Sequence, residues 1–296
     1  MMLKEFFMKC KEACHKAKLL YSDWAFLCMF SNDKKKAEVE VCFSLLRKDC
    51  HILDKGLHTV PFEKGHGKAF YAEAVSLKKK LENTPVAVDP AFHWCKGVIS
   101  TYECAQSCGT GKKSMSYHVY TEDERLVIDE FFRSRVSCRN FNAETIDDAI
   151  WNKIIEIAAD APNGCCRQTS RIYVVHEKET IAKLRVNIGG ATGFSNEIPY
   201  LLCITADTRP YMCIDRTLAY IDASLFAGNL VLACRANNIF TTILNFQHAS
   251  HRERKAVSAC LNIPSHEQVI LFIAAGHADA VPEKPTRMSV GQFRKL

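Results

Sequence analysis

RVSCRNF, residues 135–141, sets two guanidinium groups and a hydroxyl on alternate positions, and what surrounds it decides the fold. Taken alone, an Arg-x-Ser-x-Arg run reads as a solvated surface turn. It is preceded by a helical pattern over 122–132. It is followed by Thr145 and Asp148 at the spacing of a reciprocal cap, with Ile146, Ile150, Ile154 and Ile157 in helical phase behind them. Next come the loop APNGCCRQTS (161–170), a strand over 171–175, a helix over 178–186 and the glycine-bearing loop NIGGATGF (187–194). Strands at 200–206, 241–246 and 269–275 alternate with an apolar helix at 218–236 and a helix at 252–261. Helices alternating with apolar strands, one helix being apolar nearly all round, predict an α+β layered fold with a central helix packed on more than one side.

The apolar run LAYIDASLFAGNLVLACRA (218–236) carries Asp222, Ser224 and Asn229, groups that are costly in a bilayer, so it is expected to be a buried helix and not a membrane span. Ahead of residue 121 the texture differs. Helical spacing covers residues 1–30, about 35–58 and 68–83, whereas 84–116, with Pro85, Pro90, Gly97, Gly109 and Gly111, reads as an irregular linker or arm. Residues 1–120 are therefore expected to form a mostly helical extension that depends on the second segment, 121–296.

At 296 residues, 48% hydrophobic and 24% charged, the chain can bury a sizeable core. Its net charge of +6 lies entirely in residues 1–120, where 19 Lys+Arg face 13 Asp+Glu. The lysines fall in short clusters such as 34–36 and 78–80, the pattern of a solvated face and not of a nucleic-acid surface. Fifteen cysteines include no Cys-x-x-Cys, the closest pairs being Cys10/Cys14, Cys104/Cys108 and Cys165/Cys166. A structural metal or iron–sulfur site is not expected from such spacings, nor is ligation by His51, His93 or the other histidines. The start of the chain lacks the apolar stretch of a signal peptide and there is no glycosylation sequon, so reduced thiols in a cytoplasm are expected.

Two nucleotide motifs fail on spacing. SCGTGKKS (107–114) has Gln106 where a phosphate loop needs glycine and Lys113 where it needs Ser or Thr. IGGATGF (188–194) lacks the Gly-x-Gly-x-x-Gly register of a dinucleotide fold. What remains, in order, resembles the flavin-binding nitroreductase family from about residue 122 to the end. Arg135, Ser137, Arg139 and Phe141 match its Arg-x-Ser-x-Arg/Lys-x-Phe; Ala161, Pro162 and Gln168 match its Ala-Pro-Ser-x-x-Asn-x-Gln-Pro-Trp, with Asn163 at the Ser, Cys166 at the Asn and Thr169-Ser170 at the Pro-Trp. Asp222, Gly228 and Asn229-Leu230 resemble its buried helix. Gly276-His277, then Lys284 and Arg287, resemble its closing strand and basic phosphate contact. CHILDKGL (50–57) is similar to a subset with a helical N-terminal extension, associated with polysaccharide genes.

The resemblance implies a three-layer sandwich with a central mixed sheet and a buried helix, assembled as a homodimer with FMN at the interface. It implies that Arg135, Ser137 and Arg287 hold the phosphate, whose near-double negative charge suits guanidinium groups and a hydroxyl, with Val136 in the same contact segment. Arg139 is expected at the ribityl chain and pyrimidine edge, where a cation favours the reduced ring. Pro162, Asn163, Cys166 and Gln168 are expected to reach the flavin of the opposite subunit, Cys166 lacking the donor that Asn supplies. Asn187, Gly190, Gly193 and Phe194 fall where the family lines the flavin, although an ordinary helix-to-strand loop would read the same. The implied activity is an FMN-dependent oxidoreductase. NAD(P)H is the co-substrate, giving a hydride to N5, and an organic acceptor such as a nitro compound or quinone takes it; no catalytic side chain is needed. A flavin-dependent dehydrogenase of a biosynthetic substrate, polysaccharide-related or otherwise, and a non-catalytic scaffold, flavin-binding or flavin-free, are the alternatives. The extension is expected to wrap the dimer and narrow access to the flavin.

Overall fold

A computed structural model describes residues 11–30 except 12, 15, 18, 19 and 22, together with 38–112, 116–194 and 197–294. The lysine cluster 34–36, Cys10 and the end of SCGTGKKS lie outside the described residues. In chain order the named elements are α1 (Val39–Leu57), α2 (Lys68–Leu81), α3 (Pro90–Cys108), α4 (Glu122–Ser134), α5 (Asp148–Ala159), β1 (Ser170–Val175), α6 (Lys178–Arg185), β2 (Tyr200–Asp207), α7 (Arg216–Ala236), β3 (Phe240–Leu244), α8 (His251–Cys260), β4 (Glu267–Gly276) and α9 (Val290–Phe293).

The strands line up β1-β2-β4-β3, every named pair antiparallel. The parallel component of the expected mixed sheet is one isolated bridge, Ser137 to Thr241, by which the RVSCRNF segment joins β3. β2 is buried along its whole length, and its side chains alternate between two apolar layers. Leu202 and Ile204 pack with Trp151 and Ile154 of α5 and with Ala223, Phe226 and Leu230 of α7. Leu201 and Cys203 pack on the other face with Ile181 and Leu184 of α6 and Val257 of α8. Three layers result, in the expected order of helix, sheet and helix. A bulge between Ile204 and Thr205 lets Ile270 and Leu271, successive residues of β4, both face the α5/α7 layer.

The apolar helix is α7. A stretch including it, Cys213–Ala236, is long and apolar enough to cross a membrane, with a mean hydropathy of 1.5. Here it is the core helix of the sandwich, with Asp222 buried and hydrogen-bonded. The α5 helix starts later than expected: Asp147, not Thr145, caps it by accepting from the Ala149 amide. The Ile146 amide is taken by the Tyr200 hydroxyl at 2.8 Å, which holds the chain extended at the point where the earlier cap would have to form.

The largest departure from expectation is in 84–116, which is no linker. Asp89 caps α3, Pro90 occupies its first turn and Gly109, at φ 74°, ends it in the left-handed conformation. The proline and glycine that suggested irregular chain are the start and stop of a 19-residue helix, and Gly97 is tolerated inside it. With α1 and α2, this helix encloses a core of its own that includes Leu46, Leu53, Leu77, Phe92, Cys95 and Tyr102. Phe26 and Phe30 instead join the α5/α7 layer, Phe26 meeting Tyr220 edge-on at 5.1 Å.

Arg209, just past β2, ties the two segments. It pairs with buried Asp207 through Nε (3.0 Å) and Nη2 (2.6 Å), and reaches Glu38 and Glu40 at the start of α1. Burial alone would lower the Arg209 pKa, but the bond to Asp207 and the two glutamates outweigh it and raise it.

Asp49 of α1 is fully buried, and neither carboxylate oxygen has a hydrogen-bond partner, although the Lys48 ammonium lies 3.0 Å from Oδ1. Burial pushes this carboxyl up to about 6, the Lys48 contact opposing it. Between the ordinary carboxylate range and pH 6 the folded chain thus holds a proton that the unfolded chain has released, so this group favours folding at low pH and loses that contribution as pH rises through 6. Asp49→Asn is expected to be more stable than the native chain at pH 7 by about 2 kcal/mol, the gap closing towards pH 4. Urea unfolding at pH 4, 5, 6 and 7 measures it; a gap independent of pH would show an ordinary carboxyl.

Candidate functional site

The Arg-x-Ser-x-Arg turn is shaped by the end of α4 and the edge of β3. Arg135 leaves the helix in extended conformation, and the Cys138 amide donates to the Thr241 carbonyl at 3.2 Å while Thr242 Oγ1 donates to the Cys138 carbonyl. Val136 and Cys138 point inward and are buried. Arg135 and Ser137 therefore share the other side, Arg135 Nη1 donating to Ser137 Oγ at 3.4 Å, and Arg139 is exposed. Lys284 Nζ donates to the Arg133 carbonyl at 2.5 Å, which brings the C-terminal basic segment to the same corner. Arg287, three residues on, is exposed, and no contact joins it directly to Arg135.

The glycine loop lies further along the same strand. Gly189 bridges to Asn245, four residues beyond Thr241, or about 13 Å at strand rise. A Cβ on Gly189 would meet the Asn245 carbonyl at 3.0 Å, while Gly190 and Gly193 adopt φ of 79° and 80°. Gly190 and Gly193 are exposed, and Asn187 is half-buried with its amide on the Lys183 carbonyl at 3.3 Å. Phe194 stacks on Phe141 with ring centroids 6.1 Å apart, linking the loop to the RVSCRNF segment. One β3 edge thus presents a hydroxyl and cations at one end and exposed, side-chain-free backbone at the other.

Pro162, Asn163, Cys166 and Gln168 are elsewhere. Their loop leads into β1, the opposite edge strand, and Ser170 is level with Ala206, whereas Thr241 is level with Ala275 and Tyr200. Six residues along the strands and three strand spacings separate the two corners, about 20 Å by about 14 Å. One chain does not bring the two sets together.

The second loop is held in an unusual shape. Cys165, Cys166 and Gln168 have φ of 52°, 59° and 51°, the left-handed region that costs a side-chain-bearing residue about 1 kcal/mol. Two buried groups of the sandwich brace it. Asp222 accepts from the Gly164 amide at 2.9 Å and from the Tyr211 hydroxyl at 2.5 Å, and Tyr211 also meets Thr169 Oγ1 at 2.6 Å. Burial, with the bond to Asp222, raises the Tyr211 pKa, so it stays a donor. Asn163 Oδ1 accepts from the Gln168 amide at 3.0 Å, and Gln168 Nε2 donates to the Ala159 carbonyl at 3.3 Å. Thr169, standing where the resemblance expects proline, uses the hydroxyl that proline lacks to close this network. The Cys166 sulfur is an acceptor here, for Arg47 of α1.

Tyr211, Arg167, Ser44 and Arg47 were not expected as part of this region. The signal available for the last two was polar residues interleaved with the apolar stripe of α1, since Ser44, Arg47 and Asp49 are buried beside Leu46, Cys50 and Leu53. A cleft of about 440 Å³ opens beside the loop, lined by Asn163, Gln168, Tyr173, Asp222, Phe226 and Glu267 among others. Among the described residues no cluster of side chains suited to a metal ion occurs, and the cysteines are free thiols, Cys165 and Cys166 included.

Residues 132–192 match the model of the nitroreductase family. The Bacillus subtilis protein ydfN, described as a nitroreductase, superposes with a TM-score of 0.52 at 18% identity, over 58% of this chain and 99% of its own. The NfrA1 nitroreductase from B. subtilis superposes at 0.50 with 17% identity, over 56% of this chain and 72% of its own. An FMN-dependent nitroreductase from Clostridium difficile R20291, 21% identical over 55% of this chain and 92% of its own, scores 0.46 and adds no weight to the fold. The matched segment holds the Arg-x-Ser-x-Arg turn, the loop into β1 and Gly190, and the sandwich around it is the fold shared with the two B. subtilis proteins. The chain thus carries a segment that matches the nitroreductase family model, set in a sandwich of the nitroreductase-like fold and preceded by a helical N-terminal extension.

Proposed function

We propose that two copies of the chain bind FMN at their interface and act as an oxidoreductase drawing on NAD(P)H. The observation that carries this reading is the split site: the cationic corner with its glycine edge, and the loop of residues 162–168, lie at opposite corners of one sheet, so a ligand touching both needs a second copy. Exposed apolar residues on three helices, Leu126 and Val127 of α4, Ile157 of α5, Ile221 and Leu225 of α7, favour such an association.

The residues suit the cofactor chemically. Arg135 and Ser137, with Arg287 of the basic C-terminal segment, would hold the phosphate; Gly190 and Gly193 would let the backbone approach the ring, with Phe194 beside it; Arg139 would supply positive charge near the pyrimidine edge. Pro162, Asn163, Cys166 and Gln168 would come from the partner. Bound FMN supplies hydride acceptance and donation at N5. The protein's part is to bind, align and shield, so no side chain is assigned as acid, base or nucleophile. Residues 121–296 are the flavin-binding unit in this reading, and residues 1–120 narrow access to it. The free thiols suit a reducing compartment such as the cytoplasm.

The test is the colour of the purified protein and its response to NAD(P)H under nitrogen. A yellow dimer bleached by NAD(P)H is expected. A yellow protein that NAD(P)H leaves unchanged would favour a dehydrogenase of another substrate, and a colourless protein that takes up no added FMN would sink the proposal.

A further inference from the structure

The extension does more than tie itself to the sandwich: α1 takes hold of the loop of residues 163–168. Arg47 Nε donates to the Cys166 carbonyl at 3.1 Å and Arg47 Nη2 lies 3.1 Å from the Cys166 sulfur, so one planar fork binds two atoms of one residue. One helical turn earlier, Ser44 Oγ donates to the Arg167 carbonyl at 3.0 Å. The Arg47 guanidinium lies over the Trp94 ring at 5.8 Å, so α3 backs it from behind. The contrast with Arg209 is informative. That arginine pairs with carboxylates and touches no residue of the loop, whereas both Arg47 contacts fall on a left-handed residue of the loop itself.

We propose that Arg47 is a positioning residue: it fixes the left-handed turn at Cys165–Cys166 and thereby presents Asn163, Cys166 and Gln168 to the flavin of the partner subunit. The last step rests on the FMN reading above; the clamp itself does not. Two braces act on the loop from opposite sides. Asp222 holds the Gly164 amide from within the sandwich, and Arg47 with Ser44 holds the Cys166 and Arg167 carbonyls from the extension. With one brace removed, three residues in left-handed conformation are free to relax toward the right-handed region. The position where the family carries Asn is here a cysteine, whose sulfur accepts from the arginine. The departure from the family pattern and the presence of the extension are thus one feature.

The test uses the full-length chain and its Arg47→Ala and Arg47→Lys variants. Each cysteine's alkylation rate with iodoacetamide is read peptide by peptide by mass spectrometry. Loss of one charge-assisted hydrogen bond is expected to raise the Cys166 rate about tenfold in Arg47→Ala. Lysine, which keeps the charge but lacks the planar fork that sets one nitrogen at each acceptor, is expected to restore most of the protection, leaving the rate about threefold raised. Buried Cys50 and Cys95 in the core of the extension report its folding. Should they become reactive in Arg47→Ala, Arg47→Lys decides alone. A Cys166 rate indistinguishable from the native chain in the folded variants overturns the clamp. FMN affinity, followed by flavin fluorescence, is expected to fall about tenfold in Arg47→Ala with recovery in Arg47→Lys. Unchanged affinity beside faster alkylation overturns the positioning role. A native chain that binds no FMN overturns the FMN reading and that role with it, while the alkylation rates still judge the clamp.

Discussion

Arg135→Ala is expected to weaken FMN binding about a hundredfold. The guanidinium leaves α4 beside Ser137, at a corner that the basic segment containing Lys284 also reaches, and its removal takes away up to two charge-assisted hydrogen bonds to a phosphate. At about 1.5 kcal/mol each, that is about 3 kcal/mol of affinity. Arg135→Lys keeps the charge and loses the fork, so an intermediate loss is expected, and raising the salt concentration should shrink the difference between the native chain and Arg135→Ala. Fold stability should hardly move, because Arg135 is half-exposed and its one side-chain contact, at 3.4 Å, is weak. Flavin fluorescence titrations measure this, and a change under threefold would remove Arg135 from the phosphate set.

The second large effect belongs to Asp222. It is 2% exposed and accepts two hydrogen bonds, from the Gly164 amide and the Tyr211 hydroxyl. Asp222→Leu matches the side chain in size but leaves a backbone donor unpaired and Tyr211 with Thr169 alone. A loss of about 3 kcal/mol in unfolding free energy is expected. Asp222→Asn keeps one acceptor oxygen and should lose about half as much. Urea unfolding gives both values. Equal stability of native and Asp222→Leu chains would show that the loop into β1 holds its left-handed turn without this brace.

Much of the sandwich was legible because its signals are local. The β2 strand is apolar from Tyr200 to Ile204 and β4 from Val269 onward, α7 is apolar almost all round, and Asp, Ser and Asn inside α7 marked it as a core helix. What failed was reading punctuation without knowing which side of it the helix lay on. Pro90 and Gly109 bracket α3, yet the same residues describe an irregular stretch, and only the packing of Phe92, Cys95 and Tyr102 against α1 tells the two apart. Thr145 lost to Asp147 for a similar reason, since the competitor for the Ile146 amide is Tyr200, 54 residues away. Of the candidate site, the cluster of cations and a hydroxyl proposed to hold the phosphate was readable from the Arg-x-Ser-x-Arg pattern. The braces of the second loop were not. Arg47 and Ser44 lie about 120 residues from their partners, and nothing near Cys166 in the chain announces an arginine.

The bulge in β4 sets the address of one carboxylate. Without it, strict alternation from Ile273 down the strand would turn Glu267 toward the layer occupied by Phe226 and Ile154. With it, Glu267 sits on the Thr205 side, where Oε2 accepts from Thr205 Oγ1 at 2.6 Å and from the Tyr173 hydroxyl at 2.9 Å. The strand therefore changes phase midway along its length. Shortening it by a single residue at Ile270 would reverse its first half and drive an anion into hydrocarbon, whereas a residue lost from an exposed turn would change only the length of a connection.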